Sequence, residues 1–324
     1  MTRVLLLNHD EVIAVLTPER CAEAMASVLA AHARGEAYMP LRSTMSAPGA
    51  PGLMGLMPAW RPGAFSLKAI CVIPENPGRG LDAHQGTVTL FDGETGVPTA
   101  ILDASAITEV RTAAVTAVAT RLLARGDARV LAILGAGVQA KAHLRALAPV
   151  RAFESVRVHS RTEVHARALV EGAAGNRATV AASAEQAVRG ADVIVTATSS
   201  AEPVLKREWL APGAHVNAVG ASTPNQREVD SATVAASALY VDSRESLRHE
   251  AGEFQLAVAD GVISGEDHVR AELGEVLAGA RPGREDAHEL TLFRSLGLAV
   301  EDLAAAELTV ATARSQGLGR EVEL

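Results

Sequence analysis

Residues 129–140 read RVLAILGAGVQA, and this stretch decides the fold. The apolar run at residues 130–134 predicts a buried strand, and the residues after it predict a tight turn that opens a helix. The turn has the G-x-G-x-x-A spacing of a dinucleotide-binding fingerprint. A glycine-rich turn that binds nothing is the plainer interpretation, and the complete strand–turn–helix context favours the fingerprint.

Each residue type of this turn suits a bound pyrophosphate. Gly135 makes the tight turn, Gly137 lets the backbone approach the phosphates, and Ala140 permits close packing of helix on strand. Val138 and Gln139 begin the helix, whose N-terminal amides attract an anion. These residues are therefore predicted to bind a dinucleotide cofactor.

Apolar runs of strand length alternate with helical stretches after the fingerprint. They lie at residues 155–159, 193–198, 215–219 and 238–241. Strands and helices that alternate at this spacing predict βαβ units and a parallel sheet. The fold class is therefore α/β, with a Rossmann domain in the C-terminal part of the chain.

The chain before the fingerprint has a different sequence pattern. Thr17, followed by Pro18, and Gly35 predict the start and the stop of an amphipathic helix. Short apolar runs at 65–73 and 86–92 predict strands, and residues 92–98 predict a hairpin connection to a returning strand at 99–103. A small-residue helix at 112–123 then leads into the second domain, and a further helix is expected at 295–313.

Composition excludes several classes of protein. The chain has 324 residues, 48% of them hydrophobic and 21% charged, and a net charge of −8. Without a cluster of basic residues, nucleic acid is an unexpected partner. We expect no membrane association and a cytoplasmic location, because the apolar run at the start is shorter than a signal peptide or a membrane span. Cys21 and Cys71 have no metal-ligand spacing, so no metal is expected.

The end of the second Rossmann strand predicts which cofactor binds. An acidic residue there would bind the ribose 2′-hydroxyl of NADH, but this chain has Ser160, Arg161 and Thr162. A guanidinium and two hydroxyls suit the 2′-phosphate of NADPH. We therefore expect NADPH, with NADH as the alternative, although Arg161 could also be an ordinary surface cation.

Several segments together resemble the ornithine cyclodeaminase/mu-crystallin family over nearly the whole chain. The matching segments are residues 55–59, 84–88, 111–114, 133–140, 190–194, 212–222, 271–276 and 295–302. The resemblance implies a homodimer and a Rossmann domain inserted in a discontinuous α+β dimerisation and substrate domain. It places the first domain at residues 1–116 and 300–324 and the Rossmann domain at 117–299.

The resemblance also implies a substrate site. The positions matching the family's cations for a substrate carboxylate are Arg42, Lys68 and Arg111, and a guanidinium can bind a carboxylate bidentately. From the residues alone each would be assigned to the surface. Lys68 lies in an apolar run, so we expect partial burial and a role as proton donor as well.

Three threonine and histidine positions complete the carried-over assignments. Thr87 matches a family position near the nicotinamide and the substrate, and an ordinary strand threonine is the alternative. Thr112, next to Arg111, is assigned to cofactor binding. His84 has no defined role.

Two departures from the family pattern indicate the reaction. Ser222, which we assign to the catalytic site, stands where cyclodeaminases of the family carry an Asp, and Gly55 stands where they carry a Glu. Those acids suit the distal ammonium of a diamine, and their absence resembles mu-crystallin, whose activity is ketimine reduction. The expected function is NADPH-dependent reduction of cyclic 2-imino acids. Two alternatives stay open: an amino-acid dehydrogenase or ornithine/lysine cyclodeaminase of the same family, and a ligand-binding protein.

Overall fold

The chain divides into two compact units. A computed structural model describes residues 2–173 and 177–324. Met1–Arg111 and Gly297–Leu324 form the first unit, and Thr112–Leu296 form the second. The sequence placed these junctions after residues 116 and 299. The first junction falls inside a helix, so no turn residue marks it.

The described residues up to Leu123 form strands, helices and one 3-10 turn. The strands are β1 (Arg3–Leu7), β2 (Ser43–Met45), β3 (Leu53–Arg61), β4 (Ala64–Val72), β5 (His84–Asp92) and β6 (Pro98–Asp103). The helices are α1 (His9–Val15), α2 (Pro18–Ala33) and α3 (Ala104–Leu123), and the 3-10 helix is Asn76–Arg79.

The rest of the described chain alternates strands and helices and then returns to the first unit. The strands are β7 (Val130–Leu134), β8 (Ser155–His159), β9 (Ala178–Val180), β10 (Val193–Thr196), β11 (His215–Ala218), β12 (Ser237–Val241), β13 (Val269–Glu272), β14 (Leu290–Arg294) and β15 (Arg320–Glu323). The helices are α4 (Val138–Leu147), α5 (Glu163–Gly172), α6 (Ala184–Val188), α7 (Ser231–Ala236), α8 (Arg244–Glu250), α9 (Gly252–Ala259), α10 (Leu273–Leu277) and α11 (Ala299–Gln316), and 3-10 helices cover Arg207–Trp209 and Glu266–His268.

The first unit is a mixed sheet covered by helices. Among the described residues its strand order is β15-β1-β6-β5-β4-β3-β2. β1 and β6 are parallel, while β2 to β6 pair antiparallel in succession, so the predicted hairpin between β5 and β6 is confirmed. α11 packs against α2 and against β3, β4 and β5. α2 begins at the predicted Pro18 and ends before Gly35, whose positive φ of 76° terminates it.

The second unit is a Rossmann sheet. In the described part its strands pair only in parallel, in the order β13-β12-β14-β11-β10-β7-β8-β9. The order reverses at β7, which has β8 on one side and β10 on the other, and such a switch point is where doubly wound sheets bind ligands. Alternate residues of β7 belong to two separate apolar clusters, so both faces are covered. The predicted fold class is confirmed.

Two differences from the sequence prediction have physical causes. α3 begins at Ala104 instead of Thr112, because the Asp103 carboxylate accepts a hydrogen bond from the Ala106 amide at 2.8 Å and caps the helix. β9, β13 and β14 were not singled out, since β9 and β13 are only three and four residues long. None of the described helices has the length and apolarity required to cross a membrane.

Candidate active site

The turn after β7 requires a glycine at its first position. Gly135 has a φ of 121°, and a Cβ there would lie 2.4 Å from the carbonyl oxygen of Ala197. The Gly135 amide donates a hydrogen bond to the His159 carbonyl at 2.8 Å. The carboxyl ends of β7, β8 and β10 therefore meet closely, as the fingerprint predicts.

The start of α4 provides the space and the polarity for a pyrophosphate. Gly137 is the N-cap of α4, no side chain caps this helix end, and its first turn contains no acidic residue. Among the described residues, no heavy atom outside the two chain neighbours of Gly137 lies within 4 Å of a Cβ placed there, so the room above it is open. Val138 is half exposed, and Ala140 is fully buried against the sheet. These residues fit a dinucleotide cofactor.

The residues predicted to read the 2′-phosphate lie together after β8. Ser160 is half-buried, and Arg161 and Thr162 are exposed. The nearest following acid, Glu163, accepts a hydrogen bond from the Arg167 guanidinium at 2.9 Å. Thr112, the remaining predicted cofactor residue, is buried on α3.

A buried carboxylate holds the loop that carries Ser222. Ser222 itself is exposed after β11. The Glu228 carboxylate accepts hydrogen bonds from the Thr198 and Gly220 amides, each at 2.6 Å, and from the Thr196 hydroxyl at 2.9 Å. Burial raises the pKa of Glu228, and these donors oppose that effect. Glu228 therefore joins the ends of β10 and β11.

A buried ion pair extends this network to β14. The Arg294 guanidinium donates to the Glu253 carboxylate at 3.2 Å and to the Ala218 carbonyl at 2.9 Å, and it also contacts the Ala221 carbonyl. Glu253 in turn accepts a hydrogen bond from the Glu228 amide at 3.1 Å. The backbone at Gly220 and Ala221, directly before Ser222, is thus held by Glu228 and Arg294. Sequence reasoning missed this network, since no local pattern distinguishes these charges from surface ones.

In the first unit, Lys68 is buried beside a carboxylate. Lys68 lies on β4 with 1% of its surface exposed. Its Nζ donates to Asp302 Oδ1 at 3.0 Å and to the Thr108 hydroxyl at 2.6 Å. Burial, with a smaller contribution from the Arg111 charge, lowers the pKa of Lys68 to about 8 although Asp302 opposes the shift. A lysine in this state can give up a proton near neutral pH.

Arg111 is held by two adjacent acids of α11. Its Nε donates to Asp302 Oδ1 and its Nη1 donates to Glu301 Oε2, both at 3.0 Å. Burial alone would raise the pKa of Asp302, but the charges of Lys68 and Arg111 outweigh it and the pKa is lowered. Asp302 is therefore an anion shared by two cations.

The backbone of Gly297 brings the third predicted cation to this place. Arg42 Nη2 donates to the Gly297 carbonyl at 2.9 Å. Gly297 has a φ of 80°, and a Cβ there would lie 2.5 Å from Arg111 Nη1. Only glycine permits this approach without displacing the guanidinium. The structure thus gathers Arg42, Lys68 and Arg111, which we name the cation cluster.

His84 lies on the same sheet face as Lys68, and Thr87 lies on the opposite face. Antiparallel pairing places Lys68 opposite Val88, so side chains at even positions of β5 share the face of Lys68. His84 is on that face, and desolvation followed by the charges of Lys68 and Arg111 lowers its pKa. Thr87 projects from the opposite face and is exposed, and its assignment near the nicotinamide and the substrate stays a prediction.

Sequence reasoning also missed the acids of the cluster. Glu301 and Asp302 are fully buried. Two adjacent acids at the start of the apolar helix α11 were a usable signal, because buried acids in such a helix need partners. The charges that they pair with lie about 190 and 234 residues away in sequence, which no local pattern reveals.

The two units now define a class of protein. The Rossmann sheet with its open glycine turn defines a dinucleotide-binding protein, and the cation cluster supplies groups that can bind a small anion. The chain belongs to the ornithine cyclodeaminase/mu-crystallin family, whose sequence pattern matches residues 3–317.

Known proteins of this kind are similar over most of their length. Ketimine reductase mu-crystallin of Mus musculus is 41% identical over 85% of each chain. The structure of Thermococcus litoralis Δ1-pyrroline-2-carboxylate reductase, in complex with NADH and L-proline, has a TM-score of 0.95 and 34% identity, covering 98% of this chain and 100% of that one. An archaeal alanine dehydrogenase dimer with bound NAD has a TM-score of 0.94 and 35% identity, covering 100% of both chains.

These relatives confirm the predicted enzyme class. All three are oxidoreductases that act on C=N or CH–NH bonds, and both solved structures carry a nicotinamide dinucleotide. The predicted family is confirmed as well, and reduction of imino acids is the activity that these likenesses support.

Proposed function

We propose that the protein reduces cyclic 2-imino acids with NADPH, and that Δ1-pyrroline-2-carboxylate and Δ1-piperideine-2-carboxylate are its substrates. The products are then L-proline and L-pipecolate. The observation that carries this proposal is the cation cluster, in which a buried lysine with a pKa of about 8 adjoins an arginine fork. A 2-imino acid presents a carboxylate for the fork and a nitrogen for the lysine.

The three cations divide two tasks in this reaction. Arg111 and Arg42 bind and orient the substrate carboxylate, since a guanidinium can hold it by two hydrogen bonds. Lys68, protonated below pH about 8, donates a hydrogen bond or a proton to the imine nitrogen. The bound nicotinamide supplies the hydride that the imine carbon accepts.

The chain lacks the carboxylates that a diamine substrate needs. Positions 222 and 55 are Ser222 and Gly55. The acids of the cation cluster, Glu301 and Asp302, already bind Arg111 and Lys68. A distal ammonium would therefore have no dedicated partner among these residues, which supports imine reduction over cyclodeamination.

The preference for NADPH rests on the residues after β8. Arg161 is exposed there between two hydroxyl side chains, and the nearest acid is paired with Arg167. A guanidinium favours a 2′-phosphate, and the absence of an acid at positions 160–162 removes the usual partner of the ribose hydroxyl. The cytoplasmic location expected from the sequence stays a prediction.

The proposal is tested by following NADPH oxidation with a panel of substrates. The panel contains the two cyclic imino acids, acyclic 2-imino acids, and, in the opposite direction, alanine, ornithine and lysine with NADP⁺. We expect rapid reduction of the cyclic imino acids, its loss in Lys68→Met, and its retention in Lys206→Met, which removes an exposed lysine of the second unit. Strong turnover of alanine or ornithine with poor imine reduction would show a dehydrogenase or cyclodeaminase instead. No turnover in any arm would favour the alternative of a ligand-binding protein.

We also propose that the protein is a homodimer that associates through the outer face of the first unit's sheet. This face is opposite to Lys68 and exposes large apolar side chains: Tyr38, Met45, Met54, Leu56 and Phe65. An exposed apolar patch of this kind marks an interaction surface. A second copy of the chain is the occupant we propose, because the similar archaeal alanine dehydrogenase is a dimer.

A further inference from the structure

Asp302 pairs with two residues of the cation cluster at once, whereas an ordinary ion pair joins one acid to one base. One of its oxygens, Oδ1, accepts from Lys68 Nζ and from Arg111 Nε, each at 3.0 Å. Lys68 comes from β4, Arg111 from α3 and Asp302 from α11. A single buried oxygen therefore fixes two cations of different elements relative to each other.

We propose that Asp302 is a positioning residue for the imine reduction proposed above: it keeps Lys68 in the ammonium form and holds the Nε edge of Arg111, so that both cations meet the substrate in one fixed geometry. Glu301 supports the same guanidinium at Nη1 and does not hydrogen-bond to Lys68 in the described structure. The control of the lysine proton is thus specific to Asp302.

The need for this carboxylate follows from burial. An isolated ammonium in the protein interior is strongly disfavoured, and it loses its proton unless an anion is near. Lys68 is buried, and its second partner, the Thr108 hydroxyl at 2.6 Å, is neutral. Asp302 provides the compensating charge, and it opposes the effects of burial and of Arg111 on the pKa of Lys68.

The other groups around Lys68 do not replace Asp302. From the neighbouring elements these are Arg42, Arg111, His84, Glu301 and Cys21. The two arginines lower the pKa of Lys68 further. His84 has a lowered pKa and is neutral at pH 7 and above, and burial raises the pKa of the Cys21 thiol to about 12. The pKa of Cys21 lies above the range of the measurement and that of His84 lies below its usual range, so neither group supplies Lys68 with an anion.

Removal of the Asp302 charge should therefore lower the pKa of Lys68. With Asp302 present, Lys68 is protonated below pH about 8 and loses its proton above. Without that anion the ammonium is less stable, so the pKa of Lys68 falls further. The alkaline limb of the pH profile of kcat/KM must then move to lower pH.

The experiment measures kcat/KM for Δ1-pyrroline-2-carboxylate from pH 5 to pH 10 at saturating NADPH. Asp302→Asn should move the alkaline limb down by roughly one to three pH units, the shift typical of losing an adjacent opposite charge. The titration of the substrate itself is common to all variants, so only the difference between variants is interpreted. An unmoved limb in Asp302→Asn contradicts the proposal, even if the overall rate falls.

Two further variants separate this role from a structural one. Glu307→Gln removes another carboxylate of α11, one that pairs with Arg61 at 2.7 Å and not with Lys68, and its limb should stay at the wild-type position. Asp302→Glu keeps the charge but displaces the oxygen, so kcat/KM should fall while the limb stays in place. If Asp302→Asn does not fold, unchanged kcat/KM in Asp302→Glu overturns the proposal. Wild-type protein without imine reductase activity would instead overturn the proposed function.

Discussion

Arg161 is the residue on which the cofactor preference depends. It is exposed after β8, where a 2′-phosphate would be bound. Arg161→Ala should weaken NADPH binding by about 1.5–3 kcal/mol, the contribution of a hydrogen bond to a charged group, and should leave NADH binding nearly unchanged. Fluorescence titration of both cofactors measures the two dissociation constants.

An arginine outside positions 160–163 provides the control for this change. Arg189→Ala removes an exposed guanidinium after α6 that pairs with Glu185, and it should alter neither dissociation constant. Equal losses for NADPH and NADH in Arg161→Ala would show that Arg161 does not read the phosphate.

Arg111 tests the assignment of the carboxylate site. Arg111→Lys keeps a cation for Asp302 and Glu301 but loses the planar fork, so we expect kcat/KM for cyclic imino acids to fall by about tenfold or more. The dissociation constant of NADPH should not change. Arg121→Lys, an exposed position further along α3, is the matched control, and wild-type kcat/KM in Arg111→Lys would refute the assignment.

Complete removal of this charge should also destabilise the fold. Arg111→Met leaves the buried Glu301 and Asp302 with one cation fewer, and breaking a buried pair costs about 3–5 kcal/mol. The lysine variant is therefore the sharper probe of function.

The sequence identified the cations of the site but not their partners. Arg42, Lys68 and Arg111 were assigned through the family resemblance, and the structure brings all three together. Glu301 and Asp302 were not identified: their place in an apolar helix was a usable signal for burial, but their partners lie about 190 and 234 residues away in sequence. Thr87 lies on the sheet face opposite to Lys68, and its assignment near the nicotinamide and the substrate stays a prediction.

At the scale of elements, the ends of β10 and β11 depend on Glu228. Its carboxylate satisfies donors from Thr196, Thr198 and Gly220. Glu228→Gln replaces one acceptor oxygen with a donor, so at least one buried donor loses its partner at a cost of about 1–3 kcal/mol. We expect a lower Tm and a lower kcat/KM, since the loop of Ser222 is no longer fixed.

Calorimetry and steady-state kinetics check this expectation. Glu202→Gln is the control, because Glu202 is exposed and its oxygen lies 3.9 Å from the nearest Arg227 nitrogen. A Glu228→Gln variant with wild-type Tm would mean that these hydrogen bonds do not hold the strand ends.

Elements were predictable where local chemistry specified them. The fingerprint turn and the helix from Pro18 carry their own start and stop residues, and both lie where they were predicted. β14 was missed since Thr291 and Arg294 interrupt its apolar pattern. Both are buried, Thr291 beside His215 and Arg294 beside Glu253, so tertiary partners compensate for the polar side chains.

At the scale of the whole molecule, the parallel sheet followed from strand and helix spacing, whereas the discontinuity of the first unit was implied only by the family resemblance. Residues 297–324 belong to the same unit as residues 1–111, although residues 112–296 separate the two segments in sequence. No local pattern encodes such a return, because it depends on which apolar face α11 covers.

The proposed dimer interface can be tested by mutation of its exposed apolar face. Leu56→Glu together with Phe65→Glu places charges on the exposed apolar face of β3 and β4 and should convert the dimer to a monomer, because burying unpaired charges is costly. Light scattering after gel filtration measures the mass. Val164→Glu, an exposed apolar position on α5, should stay dimeric, and a dimeric double variant would place the interface elsewhere.

Transfer of deuterium from the cofactor to the product tests the proposed reaction. The wild-type protein is given Δ1-pyrroline-2-carboxylate and NADPH deuterated at C4 of the nicotinamide, and the product is analysed by NMR. We predict L-proline with deuterium at C2, since in the proposed reaction the cation cluster binds the substrate carboxylate and the imine carbon accepts the hydride. NADPH oxidation without deuterium at C2, or no proline at all, would contradict the central claim that this protein reduces the C=N bond of a 2-imino acid.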